Sequence, residues 1–260
     1  MGMSSIEFEL INAVGIIRMN RPEKFNAFNR EMSTELQRAL DDCGANKAVR
    51  AVYLTGNGKA FSAGQDLSEV IGNPAQSFSE ILTRQYNPII KKIRHLEKPV
   101  IAAVNGVAAG AGANIALCCD VVVAAASSSF IQAFSKIGLI PDSGGSFFLP
   151  RLVGWQKASA LAMMGDRISA TEAERLGMIY KVIPDEDFAQ ESIAVAGFLA
   201  QMPTRALGLT KHALNQSLEN NLDQQLALED ILQLQAAQTN DYQEGVSAFI
   251  EKRQASFKGE

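Results

Sequence analysis

Apolar positions fall in short blocks through the first half of the chain and at helical spacing through the second. Ile6–Ile11 and Val14–Met19 read as two short strands around Asn12-Ala13, a hairpin. Met32, Leu36 and Leu40 share one face of a helix running from about Glu31 to Asn46, with Asn29 placed to cap it. Val49–Thr55 reads as a strand closed by Gly56-Asn57-Gly58, and a long helix is predicted over Phe78 to Leu96. Pro99–Val104 is the next strand, residues 112–119 a helix and Val121–Ala125 another strand. Strand runs separated by helices and lengthy connections predict parallel pairing and an α/β layout.

From about Gly144 the pattern turns mainly helical. One more strand, Ile179–Ile183, stops at Pro184, and helices follow near 186–201, 203–219, 222–238 and 240–255. The segment 222–238 carries Leu222, Leu226, Leu228, Ile231, Leu232 and Leu234, a broader apolar surface than one core-facing stripe needs. Packing inside a helical bundle and contact between subunits both account for it.

The stretch 99–119 has no charged residue and is long enough to span a bilayer. Pro99, Asn105, Asn114 and three glycines interrupt it, and Ala and Val dominate rather than Leu, Ile and Phe. It therefore reads as a buried strand, a glycine-rich turn and a buried helix. The whole chain of 260 residues is 47% hydrophobic with a net charge of −4, which fits one large globular domain and disfavours non-specific binding to nucleic acid or anionic membrane. The N-terminal sequence is patterned like strands rather than like a secretory signal, so a reducing cytoplasm is the expected compartment. Cys43, Cys118 and Cys119 fit small buried hydrophobes rather than a disulfide framework.

Several chemistries lack their residues. His95 lies in a basic run and His212 beside Lys211, so a zinc site is not expected. Gly110-Ala111-Gly112 lacks the third glycine of a dinucleotide loop, because position 115 is Ile. Tyr53 stands where a phosphate loop before Gly58-Lys59 needs its first glycine, and Pro141 stands where a nucleophile elbow around Ser143 needs glycine. Two small-residue loops remain, Gly58–Leu67 and Asn105–Asn114, each after a predicted strand and each feeding a helix. Such loops serve as plain strand-to-helix turns, or they aim two backbone N–H groups at one oxygen.

At these loops the chain resembles the crotonase superfamily, the enoyl-CoA hydratases and isomerases. The resemblance runs from NRPEKFNAF at 20–28 through AFSAGQDL at 60–67, KPVIAAVNGVAAGAG at 98–112 and GLIPDSGG at 138–145 to EGVSAFIEKR at 244–253. It implies an α/β fold, a crotonase-like spiral of ββα turns over residues 1–200, with a C-terminal helical trimerisation region over 201–260. The implied substrate is a coenzyme A thioester, with no separate cofactor and no metal, in a homotrimer or a hexamer of stacked trimers. The resemblance places an oxyanion hole at the backbone N–H groups of Gln65 and Ala111. It lays the coenzyme A arm along Lys24, Phe25, Ala63, Asp66 and Leu67, closed over by Phe249 and Lys252 near a subunit boundary. The alternatives are helix packing for Phe249 and a solvated charge for Lys252.

The two glutamates with which hydratases of this superfamily add water are Asn114 and Phe134 here. The remaining carboxylate is Asp142, among Phe134, Ile137, Leu139, Ile140, Phe147 and Phe148. By spacing alone Asp142 caps the helix starting near Gly144; the resemblance makes it the base instead, with its pKa raised by apolar neighbours. The combination most resembles the branch that isomerises ring-1,2-epoxyphenylacetyl-CoA in aerobic phenylacetate degradation, sharing Tyr86-Asn-Pro88 and AFSKIGLIPD at 133–142. It implies a proton shuttle by Asp142, with Asn87 and Asn114 lining the acyl pocket and Phe134 among the residues that bind the substrate. A fatty enoyl-CoA isomerase, an enoyl-CoA hydratase and a non-catalytic or RNA-binding relative are the alternatives.

Overall fold

The computed structural model describes residues 4–72 and 78–260. Two sheets form its frame. The larger has six strands in the order β1 (Ile6–Ile11), β2 (Val14–Met19), β3 (Ala51–Gly56), β5 (Val100–Val104), β7 (Val121–Ala125) and β10 (Lys181–Ile183). Only β1 and β2 pair antiparallel; β2 through β10 run parallel. The smaller sheet has the order β4 (Ala60–Ser62), β6 (Val107–Ala109), β8 (Ser129–Ile131) and β9 (Arg167–Ser169), parallel except between β8 and β9. Each pair β3–β4, β5–β6 and β7–β8 leaves one strand in each sheet, so the chain winds as a spiral. The hairpin and the strands of the large sheet match the hydrophobic blocks closely.

The helices follow in chain order: α1 (Arg30–Ala45), α2 (Leu67–Gly72), α3 (Phe78–Ile81), α4 (Asn87–His95), α5 (Ala111–Leu117), α6 (Gly145–Met164), α7 (Ala170–Arg175), α8 (Phe188–Gln201), α9 (Thr204–Gln216), α10 (Leu222–Ala237) and α11 (Asn240–Glu251). Asn29 caps α1, accepting from the Met32 N–H at 2.9 Å. The boundary at residue 200 falls at the end of α8, just before Pro203 leads into α9.

Ile17, Met19, Met32, Leu36, Leu54 and Phe61, all fully buried, share one core cluster that joins β2, β3 and α1 to β4 of the smaller sheet. Each such side chain contributes roughly 1.5–3 kcal/mol relative to exposure. In α10 only Leu232 is buried, and Leu222, Leu226, Ile231 and Leu234 are exposed. The helix predicted as continuous over Phe78 to Leu96 is instead α3, a wider π turn over Leu82–Tyr86, and α4. Pro88 has no N–H to give the Arg84 carbonyl, so the Asn87 N–H reaches back to Leu82. Gln37 of α1 then donates to the stranded Arg84 carbonyl at 3.0 Å.

Candidate active site

The two small-residue loops meet. Asn105 Nδ2 donates to the Gly58 carbonyl at 3.0 Å, and its Oδ1 accepts from the Gly56 N–H at 3.2 Å. Gly106 lies so close that a Cβ there would sit 2.2 Å from the Lys59 carbonyl oxygen. A Cβ on Gly112 would sit 2.5 Å from the Ser62 carbonyl oxygen, so α5 packs directly on β4.

This clamp sets the two amides. Phe28 N–H donates to Gly64 O at 2.7 Å and Asp66 N–H donates to Phe28 O at 2.9 Å. That parallel bridge turns the Gln65 N–H between them away from Phe28. The Ala111 N–H opens α5 and has no intrahelical acceptor. Among the described residues neither amide has a hydrogen-bond partner. Gly64 (φ +89°) and Gly110 (φ +53°) both take left-handed backbone that side chains disfavour, and a Cβ on Gly64 would come within 3.4 Å of the Ala111 nitrogen.

The amide-bearing residues border a cavity of about 210 Å³. Ala63, Leu67 and Phe134 line it, together with Ile81, Leu82 and Leu139. Asp142 is its one acidic lining residue among the described residues. The carboxylate does not cap α6: the cap residue is Gly144, which has no side chain to offer. Ser143 Oγ donates to Asp142 Oδ1 at 2.8 Å. Burial outweighs that bond and raises the Asp142 carboxyl above its ordinary pKa.

Tyr86, which the sequence reading passed over for its neighbour Asn87, also lines the cavity. It is 1% exposed, and its hydroxyl donates to Gln65 Oε1 at 2.8 Å. Burial, with the Asp142 charge next in size, pushes its phenol well above its ordinary value. No local sequence pattern marked it: Tyr86 closes the π turn over Leu82–Tyr86, and such turns gather at functional sites.

Other predicted site residues lie elsewhere. Asn87 is exposed at the start of α4 and is not in the cavity wall. Asn114 is buried, with Nδ2 donating to the Asp142 carbonyl and Oδ1 accepting from Gln132, both at 2.8 Å. It stands behind the wall rather than in it. Asp66 is held by Arg21 at 2.9 Å and Ser68 at 2.6 Å, which, with the Ser68 bond foremost, lower its pKa. Lys24 and Phe25 are exposed on the turn whose Phe25 carbonyl accepts from Ala63 N–H at 2.9 Å. Phe249 is 85% exposed on α11, and Lys252 ends that helix in left-handed backbone. Neither borders the cavity of its own chain.

Cys43, Cys118 and Cys119 are buried free thiols. No helix among the described residues is long and apolar enough to cross a membrane.

The enoyl-CoA hydratase/isomerase family model matches residues 9–260. The 1,2-epoxyphenylacetyl-CoA isomerase of Escherichia coli is 46% identical over 246 residues, covering 94% of each chain. A Rhodobacter capsulatus protein named a probable enoyl-CoA hydratase is 44% identical over 259 residues, covering 100% of both. The crystal structure of an enoyl-CoA hydratase from a Polaromonas species superposes with a TM-score of 0.91 at 36% identity, over 97% of this chain and 99% of that one. The spiral fold, the two facing amides and these likenesses agree: the chain belongs to the enoyl-CoA hydratase/isomerase family, the crotonase superfamily.

Proposed function

We propose that the protein is an acyl-CoA isomerase in which Asp142 moves one proton and the Gln65 and Ala111 N–H groups hold the enolate. The observation that carries this reading is the pairing, among the described residues, of two unpartnered amides with a single carboxylate around one largely apolar cavity. With the thioester oxygen on the two N–H groups, the Asp142 carboxylate takes a proton from C2. The electron pair moves onto the thioester oxygen, and the resulting carboxylic acid gives the proton back at C4. The double bond shifts from the 3,4 to the 2,3 position, composition is unchanged and the carboxylate is regenerated. Each donor aimed at the growing charge supplies about 3–4 kcal/mol. Burial of Asp142 suits this step, because a base with a raised pKa has a stronger pull on a weakly acidic carbon.

The finer substrate reading is a ring-1,2-epoxyphenylacetyl thioester. The name of the 46%-identical relative supports it, as do the apolar and aromatic walls Leu82, Tyr86, Phe134 and Leu139. The coenzyme A arm leaves past Ala63 and Leu67 towards Lys24, Phe25 and the backbone of Asp66. Phe249 and Lys252 close over it from a neighbouring subunit of a homotrimer or hexamer, and coenzyme A is part of the substrate rather than a cofactor. The expected compartment is the cytoplasm.

Hydration is the second reading, favoured by the names of several relatives. It needs a positioned acid as well as a base. Asn114 has both ends of its amide engaged, and Phe134 offers no proton.

The test is Asp142→Asn. Turnover of 3-hexenoyl-CoA is expected to fall by about 10²–10⁴-fold while the thioester still binds in calorimetry. Near-normal turnover in the variant would overturn the role of Asp142.

A further inference from the structure

Asp142 sits on a turn that needs support, and the support is specific. Ser143 (φ +50°) and Gly144 (φ +75°) are both left-handed, and for serine that backbone is unfavourable. The Asp142 carbonyl accepts twice, from the Gly145 N–H at 2.8 Å and from Asn114 Nδ2 at 2.8 Å. Gly145 lies so close to this amide that a Cβ would be 2.2 Å from Asn114 Nδ2. The turn is therefore pressed against α5 at one residue.

The orientation of that residue is fixed from behind. Gln132 Nε2 donates to Asn114 Oδ1 at 2.8 Å, which forces Nδ2 towards Asp142. Gln132 is 3% exposed, and its own Oε1 is buried with no hydrogen-bond partner among the described residues. An unpaired buried acceptor is costly. Turning the Gln132 amide over would set two acceptor oxygens against each other, so the arrangement keeps its donor on Asn114 and leaves the orphan.

We propose that Asn114, oriented by Gln132, is the positioning residue for the Asp142 base: it holds the strained 142–145 turn so that the carboxylate faces the two oxyanion amides. The inference rests on the isomerase reading above. It assigns Asn114 no contact with the substrate. It also explains why an amide suits this place, since an acid there would turn an oxygen towards the Asp142 carbonyl and set a second negative charge beside the base.

Three variants test it with 3-hexenoyl-CoA: Asn114→Ala, Asn114→Asp and Gln132→Leu, each measured for kcat, KM, pH dependence and Tm. Asn114→Ala is expected to lose about 10–100-fold in kcat, as for a displaced catalytic group, with KM within about threefold of the unmutated chain. Asn114→Asp should lose as much, and the acidic limb of its pH profile should move to higher pH; the other ionisable groups lining the cavity are Tyr86 and Lys136. Gln132→Leu, which removes no contact to the turn itself, should lose about 3–10-fold through misorientation of Asn114. If the Asn114 variants do not fold, Gln132→Leu decides. The inference is overturned if every folded variant keeps kcat within twofold well below its Tm, or if the loss falls on KM alone. Activity surviving in Asp142→Asn would instead remove the base itself, a separate failure.

Discussion

The two halves of the site are built differently. The proposed oxyanion half is made of backbone: Gln65 N–H and Ala111 N–H are set by the Phe28 bridge and the β4–α5 contact, inside a network in which neighbouring groups are paired. The acid–base half is one side chain on a left-handed turn outside both sheets, held mainly by Asn114 and Ser143. The first half belongs to the fold and cannot be deleted by trimming a side chain. The second is removable by a single substitution and tunable by its surroundings. On the proposed reading, one spiral frame can thus keep the amide pair that holds the enolate while the groups that move protons change.

That contrast can be broken from either side. The largest effect is that of Asp142→Asn, about 10²–10⁴-fold in turnover, and adding a single methyl to the backbone half comes next. Gly64→Ala would place a Cβ 2.9 Å from the Ala109 carbonyl oxygen on backbone with φ +89°, and loss of one oxyanion donor costs about 10²–10³-fold in kcat. Steady-state kinetics on the folded variant checks this. A smaller effect is expected from Tyr86→Phe, which leaves the Gln65 side-chain carbonyl unpaired at the junction of the halves; kcat should fall about 3–10-fold with a modest drop in Tm.

The carboxylate half should also reveal itself in pH. Its acidic limb in kcat/KM is expected above the ordinary Asp pKa of about 3.9, because burial raises Asp142. A limb at the ordinary value would mean that the base is solvated. The smallest effect is on stability. A carboxyl whose folded pKa is raised binds its proton more tightly in the native state, so native stability falls as pH rises from the unfolded pKa through the folded one. Asp142→Asn should therefore have the higher Tm at neutral pH, and the difference should vanish below about pH 4, where the unfolded carboxyl is protonated as well. Melting curves at the two pH values read this directly.

Much of the frame was legible because its strands and helices are long enough to show a period. The Ile6–Met19 hairpin, α1 with its Asn29 cap and the parallel blocks at 51–56, 100–104 and 121–125 follow from apolar spacing and turn residues. The second sheet was not readable that way, since β4, β6, β8 and β9 have three residues each and no period to display. Only the resemblance to the crotonases implied it. The loops carrying Gln65 and Ala111 stood out because glycine and alanine are dense there, and the structure brings those two residues together.

The direction a side chain takes was harder to read. Asn114 lies on α5 beside the site, but whether its amide faced the cavity or the turn depended on Gln132, eighteen residues away in sequence. Tyr86 was hidden because the π turn comes from a missing proline N–H and a rescuing Gln37, a tertiary arrangement with no local pattern. Whether Asp142 capped a helix was settled by Ser143 and Gly144 turning left-handed, which moves the cap to Gly144.

The most direct measurement of the single-base account is mass spectrometry of the product formed from 3-hexenoyl-CoA by the purified protein in deuterated water. One carboxylate shuttling a proton between two carbons predicts a product isomeric with the substrate, carrying deuterium at exchanged carbon positions and no added oxygen. A product heavier by one molecule of deuterated water, formed as the principal species, would contradict it and require a second acid–base group near Asp142.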